Sequence, residues 1–109
     1  MNKDRRKRLT SICGTLAGLH KRFEDATKDF KDEITTVAGA VQDLQAEEQD
    51  AFDNLPENQQ QGERGEGMQE GLDKLQEAVE KLEAAADEID GVVGAVLEAV
   101  DLLQEVEGA

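Results

Sequence analysis

The sequence predicts an all-α fold: an antiparallel two-helix coiled-coil hairpin that dimerises into a four-helix bundle. Three observations predict it. Apolar residues recur at alternating steps of three and four over two long stretches. One Pro-containing corner separates those stretches. The composition, 35% charged with three Phe and no Trp or Tyr, is that of a coiled coil and cannot fill a thick globular core.

The second stretch carries the cleaner pattern. Leu72, Leu75, Val79, Leu82, Ala86, Ile89, Val93, Val96, Val100 and Leu103 occupy ten successive a and d heptad positions. Disorder, which a net charge of −14 would permit, does not produce such a run. With Leu72 at a, the g positions hold Ala78, Ala85, Val92 and Ala99. That apolar face is wider than a two-stranded seam needs and suits a helix with two neighbours.

The first stretch repeats the rhythm through Leu9, Ile12, Leu16, Leu19, Phe23, Ala26 and Phe30. It resumes after a one-residue stutter as Ile34, Val37, Val41 and Leu44. A stutter locally relaxes the left-handed supercoil. The corner comprises Asp53, Asn54, Leu55, Pro56 and Glu57. Leu55, standing before Pro, is biased away from helical geometry, and Asn54 and Glu57 have capping-box spacing. The chain is read as one domain, 1–109, with helix 1 about 4–53, the corner 54–65 and helix 2 about 66–107.

A short connection makes the helices antiparallel, so charge should set their register. Residues 1–31 carry nine Lys/Arg and four Asp/Glu, a net +5, whereas residues 32–109 carry three and twenty-two, a net −19. Lys21, Arg22, Lys28 and Lys31 should face the segment holding Asp87, Glu88, Asp90 and Glu98. Exposed pairs contribute only ~0.2–1 kcal/mol each, so they choose alignment more than they stabilise it. A single hairpin is marginal, because ordering each residue costs ~1.5 kcal/mol and only one stripe per helix is buried. Self-association is therefore expected, through Leu9, Ile12, Leu16, Val92, Val96, Leu97, Val100 and Leu103.

Chemistry is harder to find. His20 is the only histidine, and the residue three before it is Ala17, so the Glu-x-x-His pairs of a diiron bundle are missing. His20 is expected at the solvent edge. Cys13 is alone and reads as a small apolar residue, in keeping with a reducing, cytoplasmic setting. No catalytic residue, metal site or cofactor is expected, and the chain is not read as an enzyme. The Lys3–Arg8 run has no aromatic neighbours on a strongly acidic chain and reads as a solvated terminus, so nucleic acid is not expected as a partner. The apolar segment after it is interrupted by Thr10, Ser11, Gly14 and Thr15, unlike a secretory signal. Gly91–Leu103 contains Glu98 and Asp101 and is too short for a bilayer, so no membrane contact is expected.

The distinctive charge feature is on helix 2. Glu63, Glu66, Glu70, Asp73, Glu77 and Glu80 fill successive f and b positions, and Asp87 holds a later b position. They make an outer row with a carboxylate every ~5 Å. One strand of duplex DNA presents a phosphate every ~3.4 Å along the axis. Such a row is expected to bind a protein partner with a basic surface, mimicking nucleic acid. The plainer reading is the solvated face of a coiled coil. Here, however, Lys74 and Lys81 stand off the row.

The stretch from Glu47 through Phe52, Asp53, Asn54, Leu55, Pro56 and Glu57 to Asn58, followed by Glu63-Arg64-Gly65-Glu66, resembles a motif of small acidic helical proteins encoded by bacteriophages and prophages. The resemblance covers roughly residues 45–90. Those proteins often carry Ser before Glu-Arg-Gly where this chain has Gly62, which weakens the expected helix cap. The resemblance implies a mobile-element setting, in the host cytoplasm, and no particular mechanism. The reading that results is a non-catalytic coiled-coil protein that binds a protein partner and inhibits a nucleic-acid-handling or host-defence protein through its acidic face. The alternative is a structural or assembly factor acting through helix–helix oligomerisation.

Overall fold

A computed structural model describes all residues, 1–109. It is all-helical, with α1 over Lys3–Asp53, a single turn α2 over Glu57–Gln60 and α3 over Glu63–Gly108. The Asn2 side chain accepts a hydrogen bond from the Arg5 amide at 2.9 Å, satisfying one of the free donors at the start of α1. Thr27 and Thr36 donate their hydroxyls to the carbonyls of Phe23 and Asp32, at 2.8 and 3.0 Å, so these poor helix formers keep their polar atoms paired. No helix is long and apolar enough to cross a membrane.

The chain divides into two compact units. The first comprises Met1–Lys31 and Asp87–Ala109. Thr10 meets Glu107 at 3.2 Å, the Arg6 guanidinium donates to the Ala109 carbonyl at 3.2 Å, and Lys31 pairs with Asp90. Residue numbers fall along α3 as they rise along α1, so the segments run antiparallel. Leu9, Cys13 and Val100 are buried between them. Of the four cations expected to reach across, Lys31 does so. Lys21 instead pairs with Asp25 one turn along its own helix, at 3.1 Å, and that carboxylate raises the Lys21 pKa.

The second unit is Asp32–Ala86, containing the corner. Gln42 donates to Glu83 at 3.4 Å and Gln45 to Gln76 at 2.9 Å, again an antiparallel pairing. Ala38, Leu72 and Val79 form its buried centre. At the corner the main chain continues helically as far as Asn54, whose amide reaches Asp50 at 3.1 Å. Pro56 then stands in an extended conformation, φ −56° and ψ 147°, ahead of α2 without any side-chain cap. The capping box expected from Asn54 and Glu57 does not form. Pro56, with ψ far from the helical value, is itself the residue preceding α2, so Asn54 lies two residues too early to cap it.

All ten a and d residues of α3 from Leu72 to Leu103 are buried or half-buried. On α1 the line turned toward α3 differs from the one expected. Leu9, Leu16, Ile34 and Val41 lie on it, but Cys13, His20, Lys31, Ala38 and Gln45 take the places expected for Ile12, Leu19, Phe30, Val37 and Leu44. The latter five are 44–58% exposed, and Phe23 is 38% exposed. The face of α1 is wide enough to offer two lines one residue apart. At Cys13 and Ala38 the inward residue is smaller than its neighbour, and the larger Ile12 and Val37 turn to the flank. His20 thereby leaves the solvent edge: its side chain is 14% exposed, 3.9 Å from Glu24, and its Nε2 is buried without a hydrogen-bond partner.

Candidate protein-binding surface

The row on α3 is built by the heptad itself. Because a and d positions face inward, f and b positions face away from the seam. In the second unit Glu63, Glu66, Glu70, Asp73, Glu77 and Glu80 are all exposed. Glu63 and Glu66 occupy the first turn of α3, where the free amides favour negative charge. Lys74 pairs with Glu70 at 3.2 Å, both side chains at least 70% exposed. An exposed pair of this kind leaves most of the local negative potential in place. Gln69 and Gln76 donate to Asp73 and Glu80 at 3.3 and 3.1 Å, orienting those carboxylates without neutralising them. In the first unit Asp87 is likewise exposed.

The eight residues expected to mediate oligomerisation divide by exposure. Ile12, Val92 and Leu97 are 54%, 50% and 44% exposed. Leu9 and Val100 are buried, and Leu16, Val96 and Leu103 half-buried, on faces that α1 and α3 turn to each other within the first unit. Leu102 and Val106, at 62% and 47%, add to its open apolar surface. Of the corner residues, Leu55 is half-buried, whereas Asp53, Asn54, Pro56 and Glu57 are exposed.

Two corner features have no signature in the sequence pattern. The Gln60 side-chain amide donates to the carbonyls of Phe52, Asp53 and Leu55 at 3.2, 3.4 and 3.0 Å. It thus closes the end of α1, whose last turn contains no basic residue. Gly65 is buried, and a Cβ there would lie 2.0 Å from the Gln60 carbonyl oxygen. The only available sequence signal was a Gln-rich and Gly-rich segment, which reads as a loose loop.

Cys13 is 6% exposed. Burial, and then a hydrogen bond to Glu107 and that residue's charge, raise the thiol above its ordinary value of 9.0. A protonated thiol is a poor nucleophile. Alkylation at neutral pH should therefore be much slower in the native protein than in urea, as mass spectrometry can follow. The linkage has a definite sign. Well below the ordinary value both folded and unfolded chains keep the proton. As the pH rises through it the unfolded thiol ionises first, so stability should fall. Denaturant titrations across that range should show the fall in wild type and not in Cys13→Ala.

No group of three or more His, Cys, Asp or Glu side chains is arranged to hold a metal ion. One open groove of about 510 Å³ lies between Leu44, Arg64, Met68 and Leu75. Comparison with protein-family models, with curated proteins and with solved structures finds no match.

Proposed function

We propose that the chain is a non-catalytic, phage- or mobile-element-type protein that binds a protein partner with a basic surface through the carboxylate row of α3. On this reading it folds as an antiparallel coiled-coil hairpin and pairs with a second copy as a four-helix bundle. In the host cytoplasm it occupies the nucleic-acid channel of a nucleic-acid-handling or defence protein. The observation that carries the proposal is the run from Glu63 to Glu80, six carboxylates in register, all exposed. A helix holds them about every 5 Å, the same order as the ~3.4 Å between phosphates along one strand of duplex DNA.

Replacing Glu70, Asp73, Glu77 and Glu80 by Lys tests it. The variant should lose the partners that the wild-type protein retains from bacterial lysate, and wild-type capture should weaken steeply with salt. Capture that survives both the charge reversal and high salt removes the proposal.

A second reading, a structural or assembly factor, is favoured by a different observation. Eleven large apolar side chains are exposed, and exposed apolar surface, where contiguous, marks interaction sites. Under it, the same four substitutions leave assembly and binding unchanged, whereas Ile12→Asp or Val92→Asp abolishes them.

A further inference from the structure

The two flanks of the antiparallel pair in the second unit differ in chemistry. One flank, the e positions with Ala38 and Gln45 of α1 and Leu72 of α3 at a, holds Thr35, Gln42 and Gln49 from α1 and Gln69, Gln76 and Glu83 from α3. It is polar throughout and carries the Gln42–Glu83 hydrogen bond. The opposite flank, the g positions, holds Val37, Leu44 and Ala51 from α1 and Gly71, Ala78 and Ala85 from α3. Val37 and Leu44 are each 51% exposed there, and Leu44 and Gly71 border an open groove. An apolar flank opposite a polar one marks the side on which a helical pair expects another neighbour.

The charges bordering that flank are sorted. Residues 32–86 contain fifteen acids and only three cations, Arg64, Lys74 and Lys81. Arg64 lies at a g position of α3 and the two lysines at the adjoining c positions, so all three border the apolar flank. The matching c positions of α1 hold Glu33, Ala40 and Glu47. One rim is therefore cationic and the other anionic, which makes the flank complementary to itself.

We infer that this flank is the contact between two copies of the chain, with α1 of each copy lying against α3 of the other across a two-fold axis parallel to the helices. This deepens the self-association proposed above and rests on it. A two-fold of that orientation places each α1 beside the partner copy's α3 at the height it already holds beside its own. Gln45 bonds Gln76 within the chain, so Glu47 comes level with Lys74 of the second copy. The other face-to-face two-fold, perpendicular to the helices, sets α1 on α1 and α3 on α3. Glutamates would then meet glutamates and lysines would meet lysines.

Sedimentation equilibrium of the full chain tests the inference, with helicity checked for each variant. Leu44→Asp should weaken the dimer at least about a hundredfold, because symmetry removes two buried contacts at once. Glu47→Lys or Lys74→Glu alone should weaken it roughly two- to thirty-fold, and the two together should restore wild-type affinity. A dimer indifferent to Leu44→Asp places the contact elsewhere and overturns the inference while leaving self-association standing. A dimer strengthened by Glu47→Lys points to the perpendicular arrangement and overturns it too. A chain that stays monomeric from micromolar to millimolar concentration removes both.

Discussion

Gly65→Ala should destabilise the protein by ~2–3 kcal/mol, enough to lower its melting temperature by roughly 10 °C or more. The added methyl would sit 2.0 Å from the Gln60 carbonyl oxygen and 2.6 Å from that of Gln59. These are main-chain atoms and cannot swing aside as a side chain would. Either α3 starts later or the corner opens. The control is Gly91→Ala, at an exposed site in the same helix with nothing within 4 Å of the new methyl. There helix propensity alone applies, and stability should rise by up to ~1 kcal/mol. The same substitution is thus expected to have opposite signs at two positions of one helix. Thermal melts followed by circular dichroism would read both, and equal effects would contradict the packing described for the corner.

Gln60→Ala should cost ~1–2 kcal/mol, a large effect for a residue in a four-residue helix. Its amide group serves the carbonyls of Phe52, Asp53 and Leu55, of which the first and last bonds are partly buried. Removing a donor from such acceptors exposes the desolvation cost that it had offset. Gln60→Glu should cost at least as much above neutral pH. A carboxylate is of similar size but cannot donate, and it would face carbonyl oxygens. If Gln60→Glu is as stable as wild type in urea titrations at pH 8, the side chain does not cap α1.

These two sites also mark where the sequence stops being legible. The all-helical class, and the ten inward positions of α3 from Leu72 to Leu103, follow from periodicity because the a and d line there is apolar without a break. The exposure of Glu63 to Glu80 follows from the same geometry. α1 is less readable. Periodicity finds its apolar face but not which edge of that face meets α3, since two lines one residue apart are available, Cys13 and Ala38 on the inward one and Ile12 and Val37 on the other. His20 lies on that same inward line. Gly65 and Gln60 matter through contacts five to eight residues apart, set by how the main chain turns at the corner, and hydrophobic periodicity does not record them. Asn54 and Glu57 have the spacing of a capping box, yet α2 starts directly after Pro56, two residues beyond Asn54, with no side-chain cap.

The fold-back at the corner within residues 32–86 underlies every surface proposed here, and one distance tests it most directly. Spin labels placed through Gln42→Cys and Glu83→Cys, with Cys13→Ala and excess unlabelled protein, would report it by dipolar spectroscopy. Neighbouring helices lie about 8–10 Å apart, so with two label arms the distance should fall below about 25 Å. A separation near 60 Å, as a single helix continuing through Pro56 would give at 1.5 Å per residue, would contradict it.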